Sequence, residues 1–117
     1  MNWLLTPNML GTGSIPSVDP VGYERNVDGV EYDRGHLIAK KLGGTGDDKR
    51  NLVSLNQHEN RVKMRVDEGK IASDVSYGFN TYVYSVPIYV NDNPIPEKVV
   101  MFTLNSLGAN IYIFRNW

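Results

Sequence analysis

An α+β fold is predicted, in which a hairpin, one main helix and an antiparallel β-sheet follow one another along 117 residues. Three observations predict it. Two short apolar arms, one running through His36 to Ala39 and one from Asn51 to Leu55, flank Gly43-Gly44-Thr45-Gly46-Asp47-Asp48, a run that can only be a loop. From Asn56 to about Val75 the apolar spacing changes to that of a helix. Beyond Thr81 the chain turns to β-branched and aromatic residues in three runs separated by polar turns.

Each element can be justified in order. Met1 to Val21 has an apolar start, then Gly11, Gly13, Pro16 and Pro20 among Ser and Thr, which reads as a short element followed by an ordered loop without chemistry of its own. Asn26-Val27-Asp28-Gly29 carries an Asp-Gly turn signal, so Gly22 to Arg25 and Val30 to Asp33 are expected to flank a bend. Asn51 to Leu55 is apolar on alternate positions, at Leu52 or at Val53 and Leu55, and fits a returning strand. Asn56 with Glu59 three residues later has the form of an N-cap with a reciprocal acid. Val62 to Val66 and Ile71 to Val75 repeat at i, i+4, while Gly69 ends or kinks the helix. Arg61 and Arg65, also i, i+4, share one face, which is equally the pattern of a solvated surface. The strands are expected at Thr81–Val90, Val99–Leu104 and Asn110–Phe114, with Pro87 marking an edge or a bulge. Tyr82, Tyr84 and Tyr89 are expected to pack across strands rather than stack on nucleobases.

Length and mass, 13.2 kDa, fit one domain over 1–117, with a lead-in at 1–21, a core at 30–75 and the strands at 81–115. With no cysteine and two histidines, disulfides are excluded and a structural zinc site has too few ligands, so any metal is expected to be a hard cation on oxygen. No run approaches a membrane span, and Met1-Asn2-Trp3-Leu4-Leu5 lacks the features of a signal peptide. The net charge of −1 argues against a passive binder of nucleic acid. Charge is nevertheless uneven: nine of the twelve Lys and Arg residues lie between Asp33 and Lys70, against six of the thirteen acids. Within that stretch His36 stands near Arg34, and Asn51 and Asn60 follow where a hairpin and a helix start return to it. That is the outline of a site that handles phosphate.

Asp33-Arg34-Gly35-His36, Asn51-Leu52-Val53 and Asn60-Arg61 together resemble the DNA/RNA non-specific endonucleases of the ββα-metal, or His-Me finger, superfamily. With Leu37-Ile38-Ala39 and Leu42-Gly43-Gly44-Thr45-Gly46 added, the order of blocks is similar to the C-terminal nuclease domains of bacterial polymorphic and type VII or contact-dependent toxins. The resemblance spans residues 30 to 68, and the first 20 residues carry no recognisable match.

The resemblance implies a ββα-metal core and a set of roles. His36 would be the general base toward a water attacking phosphorus, with an ordinary pKa of about 6.5 suited to the task. Arg34 would bind a phosphate oxygen, Gly35 would let the backbone approach closely, and Asp33 would fix local structure or orient a neighbour. Asn60 would hold a single hydrated Mg²⁺, with Mn²⁺ as the alternative, and Asn51, nine residues earlier, would support the site. Glu68, eight residues after Asn60, would touch the ion through water. At about 100° per residue an ideal helix puts Asp67 nearer the azimuth of Asn60, so Asp67 is kept as its substitute. His36, Arg34, Asn51 and Glu68 are thus the expected catalytic set, and Arg61, Arg65 and Lys40 the expected contacts to the substrate backbone. Met64 stands where the family has an aromatic residue.

The expected activity is Mg²⁺-dependent endonucleolytic cleavage of DNA and of RNA, as the toxin domain of a larger secreted protein delivered into a target cytoplasm and neutralised by an immunity protein. Two other classes compete. One is a metal-independent ribonuclease using His36 and His58, the second otherwise expected to be merely exposed; the other is a non-catalytic binding module.

Overall fold

The apolar opening residues form β1 (Asn2–Leu5) in the computed structural model, which describes residues 2–117. β1 pairs antiparallel with β5 (Thr81–Ile88), Leu5 opposite Thr81 and Trp3 opposite Val83, and β6 (Lys98–Asn105) and β7 (Gly108–Arg115) complete the sheet in the order β1-β5-β6-β7. The lead-in is therefore a sheet strand, and its partner lies too far along the chain to be read locally. Among the described residues β1 pairs β5 from Thr81 to Tyr84, and Pro87 lies beyond that pairing, in register with Val99 of β6. Thr81, Val83 and Ser85 point inward with Val99, Met101 and Thr103, while Tyr82 and Tyr84 point outward. Tyr84 packs against Phe102 with ring centroids 6.3 Å apart, and Leu4, Tyr82, Leu104 and Ile111 extend the same exposed apolar face.

A second sheet carries the hairpin. β2 (Asn26–Val27) pairs with β3 (Val30–His36), and β3 with β4 (Leu52–Asn56), in the order β2-β3-β4. The bend ahead of β3 is tighter than the sequence predicts: Asn26 and Val27 are already paired with Glu31 and Val30, leaving Asp28 and Gly29 as a turn with φ of 51° and 85°. β3 stops at His36, and Leu37, Ile38 and Ala39 enter the core as a turn rather than as more strand. Leu52 through Leu55 are all buried, Val53 and Leu55 within the main hydrophobic core, and this erases the expected alternation.

The first 17 residues matter most through their loop. Gly11 N–H donates to the Lys41 carbonyl (2.9 Å), Gly13 to Lys40 (3.2 Å), Ser14 to Gly44 (3.2 Å) and Ser17 to Gly46 (2.9 Å). The Gly46 N–H returns to Ser14 Oγ (2.8 Å), and the Ser17 hydroxyl donates to Asp47. The two loops are thus laced backbone to backbone. A Cβ at Gly46 would stand 2.0 Å from the Ile15 carbonyl oxygen, so only glycine permits this approach.

Residues 57–76 form one helix that passes through Gly69 without ending. Its first part is a π segment, Glu59–Met64, and it continues as α1 (Arg65–Ser76). Asn56 caps it, its Oδ1 accepting from the N–H groups of His58 (3.0 Å) and Glu59 (3.3 Å). The reciprocal half of the predicted cap does not form: the Glu59 carboxylate takes the Arg115 N–H, and the Asn56 N–H goes to Asn116 Oδ1 (2.6 Å). The buried face is Met64, Glu68, Ile71 and Val75, at i, i+4, i+7 and i+11, so of the two expected pairs Ile71 and Val75 turn inward whereas Val62 and Val66 are exposed. The core gathers Met64, Ile71 and Val75 with Leu5, Ile38, Leu42, Leu55, Val83, Met101 and Phe114. No helix among the described residues is long and apolar enough to cross a membrane.

Buried Asn116 ties the end of the chain to the hairpin, since its Nδ2 also donates to the carbonyls of Ser54 (2.9 Å) and Pro96 (2.7 Å). Asn116→Ala leaves an N–H and two carbonyls without these partners. It is expected to lower unfolding stability by about 2–4 kcal/mol, read from the urea midpoint at constant m value.

Candidate active site

The end of β3 sets the first half of the site. Arg34 and His36, two residues apart on a strand, face the same way, while Gly35 faces inward, where a Cβ would lie 2.7 Å from Leu55 Cβ. The hairpin can close only because position 35 lacks a side chain. The half-buried His36 ring has one nitrogen, Nε2, 2.8 Å from the Ser14 carbonyl oxygen. A carbonyl only accepts, so Nε2 carries the proton and Nδ1 keeps a free lone pair. Burial lowers the His36 pKa, the Ser14 hydrogen bond raises it, and the Lys40 charge lowers it, leaving it below its ordinary 6.5. Ser14 is the site member that residue patterns miss. Its contribution is a main-chain carbonyl, and no side-chain signal announces that.

The helix start sets the second half. Asn60 Nδ2 donates to Asp33 Oδ2 (3.0 Å); a carboxylate only accepts, so the amide nitrogen faces Asp33 and the Asn60 oxygen remains unengaged. Arg61 grips the same carboxylate with both prongs, Nε to Oδ2 and Nη2 to Oδ1, each at 2.9 Å. Burial pushes the Asp33 carboxyl up, but hydrogen bonds from Arg61, Asn60 and Gln57 outweigh it and hold the group below its ordinary 3.8. Arg61, expected to contact substrate, is thus committed in part to Asp33.

The π segment sets which of Glu68 and Asp67 lies on the Asn60 side of the helix. An i→i+5 ladder turns by about 80° per residue, so four such steps and four α steps carry residue 60 to residue 68 through about two full turns. Glu68 therefore shares the azimuth of Asn60, and the uniform α helix that favours Asp67 does not apply. Glu68, 8% exposed, lines a cleft of 210 Å³ together with His36, Lys40, Asn60 and Arg65, whereas Asp67 pairs with Lys70 at 3.6 Å. Burial, then the Asp67 charge, push the Glu68 carboxyl up to about 8, and Lys41 offsets this only in part.

Asn51 is fully buried, with its Oδ1 taken by the Ile38 N–H (2.9 Å) and its Nδ2 by the carbonyls of Ile38 (3.0 Å) and Thr45 (2.9 Å). It lines neither of the clefts that His36 lines. It holds the turn after His36 in shape, so its place is in support of the site and not among the reacting groups. Arg34 reaches Asp19 at 3.5 Å with both side chains well exposed, a loose pair that a phosphate can displace. His58 is exposed and lines neither of the two clefts that His36 lines, so the two histidines do not form an acid–base couple.

A larger cleft of 390 Å³ also contains His36 and Asn60, with Asp33, Arg34 and Arg61 on its walls. His36 and Asn60 are the residues common to both clefts, so the imidazole and the carboxamide border one continuous depression. Among the described residues no three His, Asp or Glu side chains converge as a metal cage. The donor set is instead one amide oxygen left open by its own hydrogen bond and one buried carboxyl without a hydrogen-bond partner, both hard oxygens. That set fits a cation that keeps most of its water, as Mg²⁺ does.

A strand ending in histidine, a returning strand and a helix bearing an open asparagine oxygen define the ββα nuclease class. The chain belongs to the DNA/RNA non-specific endonuclease family, whose model matches residues 4–105, including most of the stretch before the hairpin. Its fold is that of NucA from Streptococcus agalactiae, solved with no metal bound (TM-score 0.82, 18% identity) and with magnesium ion bound (TM-score 0.82, 19% identity). These matches cover 98% and 99% of this chain but 63% and 65% of NucA. Sda1 nuclease, solved with bound zinc ion, is similar over 74% of this chain and 38% of its own, at TM-score 0.68 and 24% identity. No curated protein matches the sequence.

Asp33→Ala frees the Asn60 amide to rotate and releases Arg61. The half-saturating concentration of divalent cation in a cleavage assay is expected to rise about 10- to 100-fold, with Asp33→Asn intermediate because it keeps one acceptor.

Proposed function

We propose that this chain is a Mg²⁺-dependent endonuclease that hydrolyses DNA and RNA phosphodiester bonds, leaving 5′-phosphate and 3′-hydroxyl ends. The observation that carries the reading is a pair of open atoms on one depression: His36 Nδ1, free because Nε2 is held by Ser14, and Asn60 Oδ1, free because Nδ2 is held by Asp33. His36 takes the proton of the water that attacks phosphorus. Arg34 leaves Asp19 for a non-bridging phosphate oxygen and meets the charge that develops there. Asn60 would hold the cation through its open Oδ1, with the Glu68 carboxyl placed to reach it through water. A bound Mg²⁺ or Mn²⁺ supplies Lewis acidity toward the phosphate and the leaving 3′ oxygen. Lys40 and Arg65, beside Glu68, and Arg61, on the larger cleft, accompany the substrate backbone. No step uses a ribose 2′-hydroxyl, so both sugars are accepted.

Its setting, on this reading, is the toxin part of a larger secreted bacterial protein, delivered into a target cell and acting in its cytoplasm. An immunity protein with acidic groups over the Arg34 to Arg65 surface would silence it in the producer. The local excess of basic residues and the similarity of the motif blocks to toxin nuclease domains support this.

EDTA is expected to abolish nicking of supercoiled plasmid and cleavage of RNA. His36→Ala is expected to lower kcat/KM by about 10²- to 10⁴-fold with oligonucleotide binding retained. Chelation without effect, or a fully active His36→Ala, would end the reading. Because neutral His36 is the working form and its pKa lies below 6.5, kcat/KM should climb with pH along a limb centred below 6.5 and level off above it. With Mg²⁺ saturating, so that the Glu68 carboxyl is kept ionised, a midpoint above 7 would contradict the assignment of the base.

A further inference from the structure

The larger cleft continues past His36 and Asn60 to Tyr23 and Arg25, which the site described above does not use. Both are fastened to β3 around Tyr32: the Arg25 carbonyl accepts the Tyr32 N–H (2.8 Å), and the Tyr23 hydroxyl donates to the Tyr32 carbonyl (2.9 Å). The main chain that presents Arg25 is therefore held, while the side chain itself is exposed. Of the three arginines lining this cleft, Arg34 faces Asp19 and Arg61 is gripped by Asp33, whereas the Arg25 guanidinium has no hydrogen-bonded or ion-paired partner among the described residues. An unengaged guanidinium on a fixed backbone, in the cleft that holds the reacting groups, offers a planar fork to a second anion.

We propose that Arg25 binds a phosphate of the substrate strand adjacent to the scissile one, so that the cleft is a track for a polynucleotide. The inference rests on the nuclease reading for the identity of the strand. A substrate with a single phosphate fills only the His36 and Asn60 end. Each further phosphate held along the track adds affinity and salt dependence, with the log of affinity falling by about 0.7 per log unit of salt for every phosphate neutralised on a single strand.

Two measurements on the 117-residue chain test this. In EDTA, fluorescence anisotropy of a labelled single-stranded oligodeoxynucleotide is followed against NaCl for the wild type, Arg25→Ala and Arg25→Lys. Arg25→Ala is expected to weaken binding about tenfold and to reduce the salt slope by about 0.7, while Arg25→Lys restores the slope and only part of the affinity. In Mg²⁺, the loss of kcat/KM caused by Arg25→Ala on the same oligonucleotide should exceed the loss on bis(4-nitrophenyl) phosphate by about tenfold. An unmoved thermal midpoint shows that the variant is folded. No binding by the wild type, an Arg25→Ala slope equal to wild type, or equal losses on both substrates would overturn the proposal. Wild type that binds the strand but cleaves nothing would overturn the nuclease reading, and the anisotropy would still decide Arg25.

Discussion

The carboxylate of Asp33 fastens the strand that carries His36 to the helix that carries Asn60. One oxygen takes the Asn60 amide and the Arg61 Nε, and the other takes Arg61 Nη2. Three charge-assisted hydrogen bonds on a half-buried group set the entry of the helix against β3. They also settle which end of the Asn60 amide looks outward. Without that contact the amide could present nitrogen or oxygen to the cleft, and a carboxamide is useful to a cation in only one of those orientations. The same acid thus serves packing and chemistry, and the neighbouring arginine keeps it ionised.

The π segment is the second constraint. Glu59–Met64 carries Arg61 toward the Asp33 side and still brings Met64 into the core. A uniform α helix would put Asp67 in line with Asn60. The wider turn places Glu68 there instead. A buried carboxyl without a hydrogen-bond partner is costly. A π segment is rare but frequent at functional sites, and here it lies where the helix borders the cleft.

On the opposite wall, the histidine is oriented by a loop that carries no chemistry of its own. The Gly11 to Ser17 stretch laces onto the Lys40 to Asp47 loop through main-chain groups, and the outcome of that lacing is a single carbonyl, that of Ser14, aimed at Nε2. Asn51 works from the other side, saturating the main chain of Ile38 and Thr45 so that the turn leaving His36 cannot relax. The reacting groups are thus held by neighbours that never meet the substrate, and this preorganisation makes a small open cleft able to do chemistry.

The order of residues by itself determined the hairpin, the helix and the late strands, because turn chemistry, apolar spacing and β-branched runs are local properties. It also singled out Arg34, His36 and Asn60, residue types suited to phosphate chemistry, which the fold brings to one cleft. Only the tertiary structure decided the rest. The pairing of Asn2–Leu5 with Thr81–Tyr84, the Ser14 carbonyl at the imidazole, the Asn116 clasp and the alignment of Glu68 rather than Asp67 with Asn60 all depend on partners distant in the chain or on a change of helical pitch. Neither leaves a mark in local composition. A main-chain carbonyl has no residue type, and a π turn is adopted because the surrounding contacts reward it, so both become visible only when the chain is folded.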